Sequence, residues 1–556
     1  MSSVDGIGHR SRFLSFTVST LSILISLALF ALLQLRMLNN FDNGFFWFIG
    51  IFLGVSVVFF GVIRLRNFYA DPVLVPIVLV ISSIGLVFVT RIDLKDDQNF
   101  MSSSSFKQFL AFIIGVLLCV FLVLVVKDQR IFRRYYWTSM LIGIGLLLLP
   151  LVPIVGRTVQ GSQLWVNFFG FQFQPAEFAK IFLIIFFAGF LIERRDTLAL
   201  AGPRVLGLQL PRFKDMGPLL FVWGISVVVM VFERDLGTSL LFFGIFIAML
   251  YVATSKISWI IIGLILFGLA ISVGYSMFPH FQARVEVWLD PFSQILYERT
   301  LGGSYQIVQG LFSLANGGIS GTGLGAGYPN MIPFADSDYI FAVIGEEMGL
   351  LGVLALLMLY LLFSERIFRQ GLGIRDGYGK LLAAGIGFSF MLQVFVVVGG
   401  ILRVIPLTGL TLPFVARGGS SLIANWILVA LLIILSNQAR QPYELPEIVN
   451  TSYENFSPLG STSSYDSPNQ GISWLVQKND TDQEIPVGGS KVKDDQKSIM
   501  ESTKEIETIS DDQIDNSVSL NATVDHKDLS PNTPDDRAKP VSNQKSSYKT
   551  TGKSHE

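Results

Sequence analysis

The sequence predicts an all-α polytopic membrane protein of about 12 transmembrane helices, followed by a disordered C-terminal tail. Three observations carry that prediction. Of 556 residues, 51% are hydrophobic and only 15% are charged, whereas a soluble globular domain carries roughly 25%. The apolar residues fall into uncharged runs of membrane length, since ~20 helical residues cross a hydrocarbon core. The charges are also segregated. The first 439 residues hold 51 of them (12%) with a net charge of +7, while 440–556 hold 32 of 117 (27%) with a net charge of −8. The overall net charge of −1 is therefore a cancellation. One cysteine, Cys119, and four histidines exclude an intramolecular disulfide or a Cys/His zinc site. No basic stretch points to nucleic acid.

In chain order, the predicted spans are 13–35, 43–63, 72–90, 108–126, 135–156, 175–192, 216–232, 236–255, 257–279, 338–364, 381–402 and 418–439. The first run is too long for a signal peptide, and no small-residue cleavage site follows it. Basic residues set the orientation. With the N-terminus in the cytoplasm, 18 of the 29 basic residues before position 440 lie inside. That topology makes 280–337 a long external loop and 156–175 a shorter one, and it places the tail in the cytoplasm. The tail is too poor in apolar residues to build a core; Ile472, Trp474, Leu475 and Val476 form its one notable apolar patch.

Ionisable groups inside a span are costly and point to function. Pro175 suits the first turn of a helix, and Glu177 and Lys180 follow it on one face, either as a helix-anchoring ion pair or as part of a site. Asp290, among Trp288, Pro291 and Phe292, is a candidate general base if partly desolvated; the alternative is an Asp-Pro turn. The glycines between Gly317 and Gly327 lack the lysine of a nucleotide loop. Asp336, Asp338 and the Glu346–Glu347 pair stand at the mouth of the next span, where paired acids can hold a divalent cation or form a polar helix entrance. In 403–421, Arg403 and Arg417 are candidates for phosphate contact, with snorkelling as the alternative. All of these groups converge on the outer face.

The motifs QPAEFAKIF (174–182), DLGTSLLFF (235–243), RVEVWLDPF (284–292), DYIFAVIGEEMG (338–349) and PLTGLTLPFVARGGSS (406–421) together resemble the shape, elongation, division and sporulation (SEDS) family, the RodA/FtsW proteins, over 72–438. The resemblance implies a peptidoglycan glycosyltransferase that polymerises lipid II at the outer face of the bacterial plasma membrane. It implies a class B penicillin-binding protein as transpeptidase partner and a ten-span core (72–439). Residues 1–71 are then an added helix pair. Carried over motif by motif, Asp290 matches the catalytic acid, and Glu177 and Lys180 match paired cavity charges. Asp338, Glu347, Arg417 and Ser420 complete the candidate substrate cavity. The pyrophosphate charge would be met by Lys180, Arg417 or a divalent cation (Mg or Mn). Three positions depart from the commoner pattern: Asp336 replaces a histidine, Leu289 a glutamate, and ARGG (416–419) stands where SYGG is frequent. The wording of 282–292 and 403–414 is closer to elongation-type than division-type members. A lipid II flippase or other transporter is the alternative reading. It is weakened because carriers place their charges near the bilayer midplane.

Overall fold

The computed structural model describes residues 2–441 except 40, 42, 96–102, 154, 160–161, 169–170, 200–203, 206–207, 210–216, 218–220, 222–223, 226–234 and 301. Thirteen helices of ten residues or more form the body among the described residues. They are α1 (Ser2–Leu38), α2 (Asn43–Arg66), α3 (Leu74–Lys95), α4 (Ser104–Val125), α5 (Tyr136–Leu148), α6 (Pro175–Glu193), α7 (Leu236–Thr254), α8 (Ser258–Met277), α9 (Pro279–Leu289), α10 (Tyr305–Gly317), α11 (Ile340–Gly373), α12 (Gly377–Ile401) and α13 (Gly419–Arg440). Ten of them are long and apolar enough to cross a membrane. The all-α polytopic class is as expected. Of the twelve expected spans, most of 216–232 lies outside the described residues, as do the tail beyond Gln441 and its apolar patch.

Two expectations change. The run 135–156 is not one full-length helix: α5 is followed by a single 3-10 turn, Leu149–Leu151, containing Pro150, a residue without an N–H to continue a helix. The stretch 156–173, expected as plain loop, is an antiparallel sheet of β1 (Gly156–Val159), β2 (Ser162–Phe168) and β3 (Phe171–Phe173), with Gly156 opposite Val166 and Val166 opposite Phe173. Trp165 and Val166 supply the side chains that favour extended backbone there.

The interior is built from close helix crossings at glycine. A Cβ on Gly115 of α4 would lie 2.9 Å from Trp426 of α13, a ring that is fully buried and ringed edge-on by Phe59, Phe112 and Phe414. A Cβ on Gly85 of α3 would lie 2.6 Å from the backbone of Phe414 and Val415, so the irregular segment before α13 threads directly against α3. The helix pair α1–α2 packs onto this core, to which α2 contributes Phe59. Ser26 of α1 donates to Ser83 of α3 at 2.9 Å in a buried contact, and Phe30 packs on Phe48 and Phe52.

The expected apolar run 72–90 continues in the structure as helix to Lys95, and so draws Arg91 inside. Its charge is neutralised by Glu347 of α11, with Nε 2.5 Å from Oε1 and both side chains fully buried.

Candidate functional site

The site begins where two helix N-termini meet. Pro175 opens α6 and Gly419 opens α13; the Gln174 amide donates to Ser420 Oγ at 3.0 Å. One turn into α6, Lys180 Nζ is 2.9 Å from Glu177 Oε2. It also donates to Gln393 Oε1 of α12 at 3.1 Å and to Asn425 Oδ1 of α13 at 3.5 Å. Gln393 Nε2 donates to the Thr411 carbonyl at 2.9 Å, and the Thr411 hydroxyl to Ser421 at 3.1 Å. The expected Glu177–Lys180 pair is thus the centre of a buried polar network that joins three helices to 406–418.

A chain of charges continues from it. Asp235 caps α7, accepting from the Thr238 amide at 2.9 Å and its hydroxyl at 2.5 Å. Asp235 lies within electrostatic reach of both Glu177 and Arg284, and Arg284 within reach of Asp338. Burial pushes the Asp338 carboxyl up to about 6, opposed chiefly by Arg284. Beyond Asp338 stands Asp336, raised by burial and held down in part by Arg417. Arg417 Nη1 is 2.6 Å from Asp336 Oδ2 and donates to Ser104 Oγ at 2.6 Å. Two of the three departures from the family pattern, Asp336 and Arg417, are therefore partners.

Asp290 ends α9, its amide still bonded to the Glu286 carbonyl at 3.0 Å. Its carboxylate is exposed and accepts no hydrogen bond among the described residues. Glu347 stands apart from the other candidates. Besides Arg91, it accepts from the Gly325 and Gly327 amides at 2.8 and 3.3 Å. Glu346 accepts from Ser313, Asn316 and the Tyr328 amide. Both acids bind the glycine-rich segment down. Their backbone does so too: the Thr322 and Gly323 amides donate to the Glu346 and Glu347 carbonyls, and Leu350 and Leu351 to those of Gly318 and Ile319. The helix break at Gly349, φ +66°, is satisfied by this lacing, and the glycines are needed for approach. A Cβ on Gly321 would sit 2.2 Å from the Glu347 carbonyl. Among the described residues, no three His, Cys, Asp or Glu converge in a cation cage.

Charge was the signal that found Glu177, Lys180 and the acids. Gln393 and Asn425 carry no charge and escaped it; an amide inside an otherwise apolar span is the clue that points to them. Asp235 and Arg284 were within quoted motifs, and only packing shows that they join the site.

Together these features define a multi-pass membrane protein in which Glu177, Lys180, Asp235, Arg284, Asp338, Asp336 and Arg417 form one linked set of charges. A family model described as "Cell cycle protein", of the FtsW, RodA and SpoVE type, matches residues 72–441. The chain belongs to that family. It is 44% identical over 412 residues to the peptidoglycan glycosyltransferase RodA of Mycobacterium leprae, covering 72% of this chain and 86% of that protein. It is 32% identical over 379 residues to stage V sporulation protein E of Bacillus subtilis, covering 66% and 98%. A solved structure described as "Structural coordination of polymerization and crosslinking by a peptidoglycan synthase complex" aligns with TM-score 0.55 and 26% identity, covering 67% of this chain and 99% of that one.

Proposed function

We propose that this chain is a peptidoglycan glycosyltransferase that polymerises lipid II into glycan strands for cell shape, with Asp290 as the general base. The observation that carries this is the state of that carboxylate. Glu177, Asp235, Asp336, Glu346 and Glu347 each accept hydrogen bonds or ion pairs within the protein, whereas Asp290 accepts none among the described residues and is open to a substrate hydroxyl. In the reaction, Asp290 takes the proton of the acceptor 4-hydroxyl as that oxygen bonds to the anomeric carbon of the donor. The bond from that carbon to the pyrophosphate breaks, and undecaprenyl pyrophosphate leaves with inversion. A leaving group this good needs no second carboxylic acid, unlike a glycoside.

Arg417 is suited to the pyrophosphate. Its side chain is 45% exposed and only Nη1 is engaged by Asp336 and Ser104, so the rest of the guanidinium fork is turned to other acceptors. Lys180 and Glu177 hold α6, α12 and α13 in register beneath it. Among the described residues, no three His, Cys, Asp or Glu converge as ligands for a divalent ion, and Arg417 is the cation this reading assigns to the pyrophosphate. The excess of basic residues in the alternate loops supports placing both termini in the cytoplasm and the site at the outer face. The greater identity to RodA than to the sporulation relative supports the elongation role. The synthase-complex neighbour supports a class B penicillin-binding protein as partner.

The test is reconstitution of the purified protein with lipid II and its transpeptidase. Glycan polymer is expected, abolished by Asp290→Ala at unchanged thermal stability. Polymer from Asp290→Ala would refute the base assignment, and lipid II translocation without polymer would identify a flippase instead.

A further inference from the structure

The segment that follows α12 carries an unusual arginine. The Arg403 amide donates to the Gly400 carbonyl and the Val404 amide to that of Gly399, at 3.2 and 2.7 Å. This is the Schellman pattern, in which the residue turning left-handed is usually glycine. Here it is Arg403, at φ +60°, a conformation that L side chains rarely adopt. A strained residue of this kind persists where its side chain is needed.

The side chain shows the need. Arg403 Nε donates to the Trp288 carbonyl and Nη2 to the Leu289 carbonyl, each at 2.7 Å, and Trp288 Nε1 donates back to the Arg403 carbonyl at 3.1 Å. The last carbonyls of a helix have no intrahelical partner, and these two belong to the residues immediately before Asp290. Little else holds them. No residue of α9 is fully buried, and Leu289 and Phe292 are 62% and 57% exposed. Midway along α9, Arg284 donates to the Leu407 and Thr408 carbonyls at 3.3 and 3.0 Å. The middle and the C-terminal end of the helix are thus pinned to one short segment, 403–408.

We infer that Arg403 is a positioning residue, which caps the C-terminal end of α9 and thereby sets where Asp290 presents its carboxylate. This rests on Asp290 being the base. It replaces the phosphate-binding and snorkelling roles the sequence offered for Arg403, since Nε and Nη2 are committed to the Trp288 and Leu289 carbonyls. Glycine at 403 would keep the turn and relieve its strain while removing the clamp; lysine would keep a charge and one donor but lose the fork.

The experiment compares Arg403→Gly and Arg403→Lys in the full chain with its transpeptidase and lipid II. For Arg403→Gly, kcat is expected to fall by about 10–100-fold, the scale of a misplaced catalytic group. KM should stay within about twofold, and the melting temperature should be unchanged or higher. Arg403→Lys should recover part of kcat. Amide hydrogen exchange at 288–290 should quicken in the glycine variant. A wild-type kcat in Arg403→Gly, or a kcat loss matched by a lower melting temperature with no recovery by lysine, overturns the inference. Should Asp290→Ala still polymerise, the functional reading fails; the exchange rates then judge the clamp alone, with faster exchange supporting it and unchanged exchange refuting it.

Discussion

Two ion pairs are buried at both partners among the described residues, and they differ in what surrounds them. Arg91–Glu347 is enclosed by backbone: Glu347 accepts from the Gly325 and Gly327 amides, and Arg91 donates to the carbonyls of the same two glycines at 3.2 and 2.8 Å. Glu177–Lys180 is surrounded by side-chain amides, those of Gln393 and Asn425. Backbone partners cannot leave without unravelling the segment they belong to. Side-chain partners re-orient at small cost and can exchange for a ligand. The same pair of charges is therefore a staple in one place and an adaptable floor beneath a site in the other.

Removing both members of each pair breaks this comparison most directly. Arg91→Met with Glu347→Leu strips the side chains that bond to the amides and carbonyls of Gly325 and Gly327. A stability loss of about 3–5 kcal/mol is expected, from several backbone groups left unpaired at about 1–3 kcal/mol each, read as loss of folded protein by detergent gel filtration. Glu177→Gln with Lys180→Met leaves no uncompensated charge, so folding should persist. Polymerisation should nevertheless drop by about 100-fold, equivalent to about 2.7 kcal/mol, in the lipid II assay. If the two double variants lose stability equally, the distinction is wrong.

Asp338 sharpens the comparison from the rim. Its carboxyl is pushed up to about 6 by burial, above the unfolded value near ~3.9. The folded protein therefore holds the proton more tightly than the unfolded chain. Stability from this group is complete below about pH 4 and is lost as pH rises through 6, by on the order of 3 kcal/mol. The melting temperature of Asp338→Asn relative to the parent should rise between pH 4 and 7 and level off above. A flat difference would mean that Asp338 is well solvated. The smallest effect is expected at the added helix pair, where Ser26→Ala should cost about 0.6 kcal/mol, the average for such contacts between membrane helices, without changing polymerisation.

Spans with strong apolar runs were legible because membrane length imposes a simple requirement on sequence. Where the structure departs, a local interaction overrode that requirement. Arg91 continues α3 past its apolar run because Glu347 is waiting, and Pro150 stops α5 early. Of the site, Glu177, Lys180 and Asp290 were legible as charges in costly or aromatic surroundings. Glu347 looked like a cavity or cation ligand because its partner Arg91 is more than two hundred residues away in the chain. Arg403 looked like a phosphate or surface arginine for the same reason.

By itself the sequence determined that the chain is a multi-pass helical membrane protein, its family, and which few charges are candidates for a site. These follow from hydropathy, length and local motif, all properties of neighbouring residues. Only the tertiary structure decided which charges are partners. It closed Asp336 on Arg417 and Arg91 on Glu347, gave Arg403 to the end of α9, and left the Asp290 carboxylate without a partner among the described residues. The energy of a charge depends on what stands within a few ångströms of it, and in a bundle of long helices those neighbours come from distant parts of the chain.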